Sequence, residues 1–464
     1  PRVSDQAEQS DLHLRVRAGT DAAMCLGWLK VIFDEHLYDE DFVRDWCVGF
    51  EALKARVDEY PLERVEAITG VDRALIAEAA RMYATADGAI IPWTPITDMQ
   101  ISSTSAIRLH SILRAVTGNL DIVGGETLGG FNQSYIPESE LALHEVLPDA
   151  QKAKQLGFDD HPAYTYRVAE MLKAQTEKVW GYPYADIVMG CHMANPSNVF
   201  RAMATGDPYP VKAFFVLGNN ALMSYPNQHQ ILKAMMNQDL IVAHEIFMTP
   251  TAMLADYVLP GDVFTERNHI ADSWSWTTRL SLSQKIVEPP EGASSTFEFW
   301  RDLANAFGFS EHFPWDTLEA LLDHRLSRSG RTFADFEQSG YMELQTPEFR
   351  KYRKTGFATP SGKVELSSSI LSDLGFDPLP YYREGPALSE AYPYAVFSGV
   401  REDPFFQTGQ RNIAELRQRC PVPSIFIHPT DAEKEGLTDG DWVKIQTAYG
   451  EVTAKLAVQG SMKQ

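Results

Sequence analysis

Cysteine is scarce and widely spaced. Cys25, Cys47, Cys191 and Cys420 are the four thiols in 464 residues. No Cys-x-x-Cys pair is present, so no zinc knuckle, iron–sulfur site or redox dithiol can be read, and nothing supports a disulfide framework. Positive charge is also in deficit, with 41 Lys and Arg against 63 Asp and Glu and a net charge of −22. That balance argues against a nucleic-acid partner; an anionic ligand would need local basic residues. No apolar run is long enough for a membrane span. A Gly-x-Gly-x-x-Gly loop is missing, which argues against an NAD site of the usual kind. There is no internal repeat and no low-complexity stretch.

What is present is ample core material. Hydrophobic residues make up 44% of the chain and aromatics 11%. The length suggests about three domains. Residues 212 to 267 organise the reading. Lys212 to Leu217 is a short apolar run, the mark of a buried strand, and Gly218, Asn219 and Asn220 break it. Pro226 opens a helix with Ile231, Leu232, Met235 and Met236 on one face. Leu240 to Ala243 is a second buried strand ending at His244-Glu245. Ala255 to Leu259 is a third apolar run, closed by Pro260-Gly261. This is a βαβ pattern of a parallel sheet, with polar residues at the carboxyl ends of the strands, where open α/β sheets bind ligands.

Elsewhere the pattern is again α/β. Leu12 to Val16 reads as a strand, followed by Gly19, Thr20 and Asp21 at the start of a helix from Ala22 to Phe33. That triplet by itself is ordinary capping. Residues 40 to 86 read as helical, Gly88 to Trp93 as a strand and Ser102 to Val116 as a helix. Residues 124 to 211 are rich in Gly, Pro and aromatics, with weak periodicity, and hold His192. Residues 268 to 295 are polar and loop-rich, with Trp274 and Trp276. Thr296 to Phe307 is an amphipathic helix, and residues 359 to 366 are a turn followed by a short strand. From Tyr394 onward short strands recur between glycines (YAVFS, SIFIHP, WVKIQT, EVTAKLAV), a β-barrel texture. The expected domains are 1–120, 121–390 and 391–464.

The segments RAGTDAA, FFVLGNNAL, HEIFMTPTAMLADYVLPGDVFTE, ATPSGKVEL and HPTDAEKEGLTDGDWVKI occur in this order. Together they resemble the dimethyl sulfoxide reductase family of molybdopterin oxidoreductases, over almost the whole chain. LYDEDFVRDWCVGFEALKARVDEYPLERVEAITG, TDMQ with SAIR, and MANP add a likeness to the acetylene hydratase branch. The resemblance implies an α/β fold with two Rossmann-like parallel-sheet nucleotide-binding domains and a partial double-psi β-barrel. It implies a bis-molybdopterin guanine dinucleotide cofactor with molybdenum or tungsten. Pro1-Arg2 looks like the end of the family's Asp-Pro-Arg motif. The expectation is therefore a central piece, without the N-terminal iron–sulfur and metal-ligand part and without the end of the barrel.

By the same resemblance Asp21, beside Gly19 and Thr20, matches the acidic guanine contact of the first nucleotide domain. Glu245 matches that of the second, with His244 before it as a further cofactor-contact residue. A carboxylate can accept both N–H groups on the guanine edge. Asn219 and Asn220 would meet phosphate or ribose, and Arg267 matches a basic position near the nucleotide. Ser398, Gly399, Arg401, Phe406, Gln407 and Thr408 match the loop covering the pterins. No catalytic residue and no protein metal ligand is named; His110, His192 and Trp274 are more readily structural.

The implied function is two-electron oxidoreduction of a small molecule. The alternatives are non-redox hydration of a triple bond, reductive aromatic dehydroxylation, or a relative that has lost its cofactor. Retention of Gly19-Thr20-Asp21 and Asn219-Asn220 argues against the last. The implied partners are a small-molecule substrate and an electron-transfer subunit. The expected compartment is the cytoplasm, unless a twin-arginine signal upstream directs the protein to the periplasm.

Overall fold

The computed structural model describes residues 2–128, 134–184, 193–271, 279–343, 346, 348–397, 405 and 409–462. Its strands are, in chain order, β1 (Cys47–Val48), β2 (Ala213–Leu217), β3 (Leu240–Glu245), β4 (Tyr257–Pro260), β5 (His269–Ala271), β6 (Arg279–Ser283), β7 (Tyr341–Glu343), β8 (Val364–Glu365), β9 (Ser424–Ile427), β10 (Trp442–Thr447) and β11 (Gly450–Val458). The chain divides into two compact units. One comprises Pro1–Thr127, Val364–Ser369 and Asp377–Gln464; the other comprises Leu128–Lys363 and Ile370–Phe376.

In the first unit the helix Asp21–Asp34 is central. Ala22, Ala23, Leu26, Leu29 and Ile32 are wholly buried, which explains a helix that is apolar nearly all round. It packs against the helices Phe50–Asp58, Leu62–Thr69, Arg73–Thr85 and Ser103–Val116. Asp72 caps the third of these by accepting from Ala74 N at 2.7 Å. β1 pairs in parallel with β8, so the turn at 359–362 does lead into a short strand. β11 pairs in parallel with β9 and antiparallel with β10.

Three expected strands of this unit form no ladder among the described residues, one of them the run from Tyr394, whose described residues 394–397 are irregular. Leu12–Val16 is extended or turning backbone, and Gly88–Trp93 leaves Ile90 and Trp93 exposed. Side chains occupy part of the second segment's hydrogen-bonding edge. Ala89 N donates to Asn119 Oδ1 at 2.9 Å, and Ile91 N donates to Glu126 Oε1 at 2.8 Å. An apolar run becomes a strand only when a neighbouring strand takes its backbone groups, and here side chains take them.

The second unit holds the parallel sheet β2-β3-β4. The helix Gln228–Met236 connects β2 to β3 and buries Ile231, Ala234 and Met235. Leu232 and Met236, expected on the same face, are exposed. The helix starts two residues after Pro226, capped by Asn227, and its inward stripe is Ile231, Ala234 and Met235. These side chains pack with Phe200, Met203, Val216 and Ile241. β4 is more exposed than its sequence suggested, with Tyr257, Val258 and Leu259 all partly open to solvent.

Residues 124 to 211 are more regular than their composition implied. They include the helices Tyr166–Trp180, capped by Thr165, and Pro196–Thr205, capped by Asn195. A further antiparallel sheet, β5-β6-β7, packs Ile270, Leu280 and Met342 onto Tyr135, Leu322, Leu326, Phe333 and Phe336. The helix Thr296–Ala306 is fixed by a capping box between Ser295 and Glu298. Among the described residues no helix is long and apolar enough to cross a membrane.

Candidate functional site

The carboxyl ends of β2, β3 and β4 lie in one row. Leu217 pairs with His244, His244 with Leu259, and Glu245 with Pro260. The residues that end or follow these strands therefore gather along one edge: Gly218 to Asn220, Glu245 and Gly261. Gly218 turns with φ +58, and its N–H donates to His244 O at 3.0 Å. Asn219 is exposed and Asn220 half-buried. Asn220 Oδ1 accepts from the hydroxyl of Thr251 at 2.8 Å. The same hydroxyl accepts from Leu222 N at 3.0 Å, so Thr251, wholly buried, ties the loop after β2 to the loop after β3.

His244 and Glu245 are neighbours on a strand and point to opposite faces. His244 is buried. Its Nε2 lies 2.9 Å from Ser294 O and 3.2 Å from Ser294 Oγ, and its ring stands 5.7 Å from that of Phe299. A bond to a carbonyl requires Nε2 to carry the hydrogen and donate it. Among the described residues this histidine is a structural tie, not an open ligand-facing group. Gly261 presses on it, since a Cβ there would sit 3.1 Å from His244 Cε1. Glu245 is half-buried, with Oε1 accepting from Ile246 N at 2.9 Å.

Arg267 is brought to the same unit's edge by an ion pair with Asp262, whose side chain is only 4% exposed while that of Arg267 is 35% exposed. Asp262 N donates to Ser294 O at 3.1 Å. Ser294 O thus receives both His244 and Asp262, and it links the end of β3 to the residue that anchors Arg267. Asp256 pins the start of β4 to β3, because its Oδ2 accepts from Ile241 N at 2.7 Å. Thr251 and Ser294 carry no sequence signal of their own beyond being hydroxyls near strand ends.

In the first unit Gly19 turns with φ +79 and Asp21 opens the central helix. Thr20 is buried, and its hydroxyl donates to Arg17 O at 2.6 Å instead of capping the helix. Arg17 closes the loop from the other side, donating to Ile68 O at 2.7 Å. Asp21 is half-buried at the helix start. Burial, with Asp21 nearby, pushes the Cys25 thiol well above its usual range, so this cysteine is inert at neutral pH. His110 is buried, and desolvation followed by the Arg114 charge holds its imidazole below the usual value, against the pull of Asp21 and Glu126. Ser398, Gly399, Arg401, Phe406, Gln407 and Thr408, with His192, Trp274 and Trp276, lie outside the described residues.

The profile of the family described as "Molybdopterin oxidoreductase" matches residues 1–306. The chain belongs to the molybdopterin oxidoreductase family. The profile described as "Molydopterin dinucleotide binding domain" matches residues 396–464. The chain is similar to the acetylene hydratase of Syntrophotalea acetylenica, with 44% identity over 468 residues, 99% of this chain and 64% of that protein. Similarity extends at 26% identity to formate dehydrogenase H of Escherichia coli, covering 99% of this chain and 61% of that protein. It extends at 24% to the molybdopterin-containing subunit of thiosulfate reductase of Salmonella typhimurium, covering 99% and 62%. The solved structure of acetylene hydratase from Pelobacter acetylenicus superposes with a TM-score of 0.94 at 44% identity, covering 99% of this chain and 64% of that one. The mixed α/β fold with parallel sheets expected from the resemblance is therefore the fold of this chain. The chain spans under two thirds of the length of each of these relatives.

Proposed function

We propose that this chain is the nucleotide-holding part of a molybdenum or tungsten enzyme carrying molybdopterin guanine dinucleotide and acting on a small molecule. The observation that carries the reading is the row at the ends of β2, β3 and β4. It offers a carboxylate, two amides and a guanidinium on one edge of a parallel sheet. That set fits the group: Glu245 accepts from the guanine N–H donors, Asn219 and Asn220 donate to phosphate or ribose, and Arg267 adds a planar donor fork. Asp21, with Gly19 and Thr20, would serve the second nucleotide in the same way. Ser398, Gly399, Arg401, Phe406, Gln407 and Thr408 would cover the pterins, and their placement rests on the family resemblance.

When bound, the metallopterin would supply either two-electron chemistry or Lewis-acid activation of water. The chain's own contribution is to bind, orient and shield it. Oxidoreduction is the first reading, on the family profile. A specific observation favours hydration as the second: identity is 44% to an acetylene hydratase but 24–26% to the formate dehydrogenase and the thiosulfate reductase subunit. Reductive aromatic dehydroxylation stays a more distant reading. An iron–sulfur cluster and an electron-transfer subunit would accompany the redox reading. The cytoplasm is the proposed compartment, with the periplasm as the alternative.

The test uses the full-length protein, purified without oxygen. Metal analysis should find stoichiometric molybdenum or tungsten. Anaerobic incubation with acetylene yields acetaldehyde on the hydration reading, and reduction of a dye by an oxidisable substrate marks the redox reading. Absence of both metals and of guanine nucleotide from the purified protein would overturn the proposal.

A further inference from the structure

Thr251 lies in the loop that follows β3, has no exposed surface, and touches the loop that follows β2. A threonine hydroxyl carries one hydrogen. Here Oγ1 accepts from Leu222 N and donates that hydrogen to Asn220 Oδ1. The Asn220 amide is thereby fixed with its oxygen turned towards the buried hydroxyl. What remains is Nδ2 with two N–H groups, for which no protein acceptor is present among the described residues. A free asparagine can offer either end to a ligand, but with Oδ1 held against the buried hydroxyl this one offers chiefly its N–H donors.

Resting on the reading of this edge as a nucleotide cradle, we propose that Thr251 is a positioning residue that holds Asn220 as a hydrogen-bond donor. This strand end then reads the acceptor-only diphosphate of the nucleotide rather than its base. Glu245, an acceptor, takes the complementary part on the guanine edge. The division explains why an amide follows β2 and a carboxylate ends β3: each strand end presents one polarity to one part of the ligand.

The experiment measures guanosine diphosphate and guanosine binding to the full-length apoprotein by calorimetry. The wild type is expected to bind the diphosphate more tightly than the nucleoside. Thr251→Val should weaken diphosphate binding about tenfold, the loss of one charge-assisted hydrogen bond, and leave guanosine binding unchanged. Thr251→Ser, which keeps the hydroxyl, should restore it. Asn220→Asp keeps the acceptor for Thr251, removes the donor and adds a negative charge beside the diphosphate. It should lose the diphosphate preference by at least as much, without disturbing the buried hydroxyl if Thr251→Val fails to fold. Equal losses for the two ligands, or unchanged diphosphate binding in Asn220→Asp, overturn the proposal while leaving the cradle intact. A wild type that binds neither ligand overturns the cradle reading and the proposal with it.

Discussion

Replacing Gly261 with alanine tests the packing that holds the end of β3. A Cβ at this position lies 3.1 Å from His244 Cε1 and 3.3 Å from Nδ1, so the ring must move by a few tenths of an ångström. The ring cannot move freely, because Nε2 is tied to Ser294 O at 2.9 Å. Overpacking of this kind costs about 1–3 kcal/mol, and weakening the buried hydrogen bond adds up to about 1 kcal/mol. We expect Gly261→Ala to destabilise the second unit by about 2 kcal/mol. In a His244→Ala background the obstructing ring is gone, and the same glycine change should cost less than about 0.5 kcal/mol. The difference, about 1.5 kcal/mol, is the coupling energy of the pair. Urea denaturation of the two single variants, the double variant and the wild type, with midpoints compared at constant slope, completes the cycle. If Gly261→Ala costs the same in both backgrounds, the ring is not what the glycine accommodates, and the packing reasoning for this corner is refuted.

Other positions give independent checks. Lys152 is nearly buried and donates to Glu170 Oε1 at 2.6 Å and to Tyr184 OH at 2.8 Å. Because Glu170 is 39% exposed and can be solvated after the loss, Lys152→Met should cost about 2 kcal/mol in urea rather than the larger penalty of a sealed pair. His110 has a folded pKa below its usual 6.5, so the unfolded chain binds the extra proton first. Stability from this group is complete above about pH 6.5 and falls as pH drops through the lower folded value; in His110→Leu that segment of the pH–stability curve should flatten. Asp256→Ala leaves Ile241 N without its side-chain acceptor and should cost about 1 kcal/mol, with faster hydrogen exchange at Ile241 as its local signature.

Legibility followed how local the causes are. The β2-helix-β3 unit could be read because apolar runs, turn residues and a capped helix are written within a few positions of each other. Tyr166–Trp180 and Pro196–Thr205 were hidden in a Gly-, Pro- and aromatic-rich region although Thr165 and Asn195-Pro196 are ordinary helix starts. Leu12–Val16 and Gly88–Trp93 have strand composition, yet a strand is a relation between two segments, and composition reports only one of them. His244 shows the same gap at the site. Its position at a strand end suggested a ligand contact, but alternation places it on the face opposite Glu245, and no single sequence says which face is covered. Leu232 and Met236 point the same way: the helix was expected, and its buried stripe lay slightly rotated. The residues that shape the edge most, Thr251 and Ser294, act through hydrogen bonds across loops, a kind of contact that has no periodicity.

The Arg267–Asp262 pair has a consequence for how an anion would arrive. The guanidinium stands beside a nearly buried carboxylate, so this corner presents a directional fork with little net charge. In a chain carrying a net charge of −22, it would not draw a phosphate from a distance. Recognition there would act at contact, through the orientation of the remaining N–H groups. Ligand affinity should then change little as ionic strength rises, and capture should proceed at an unsteered, diffusive rate.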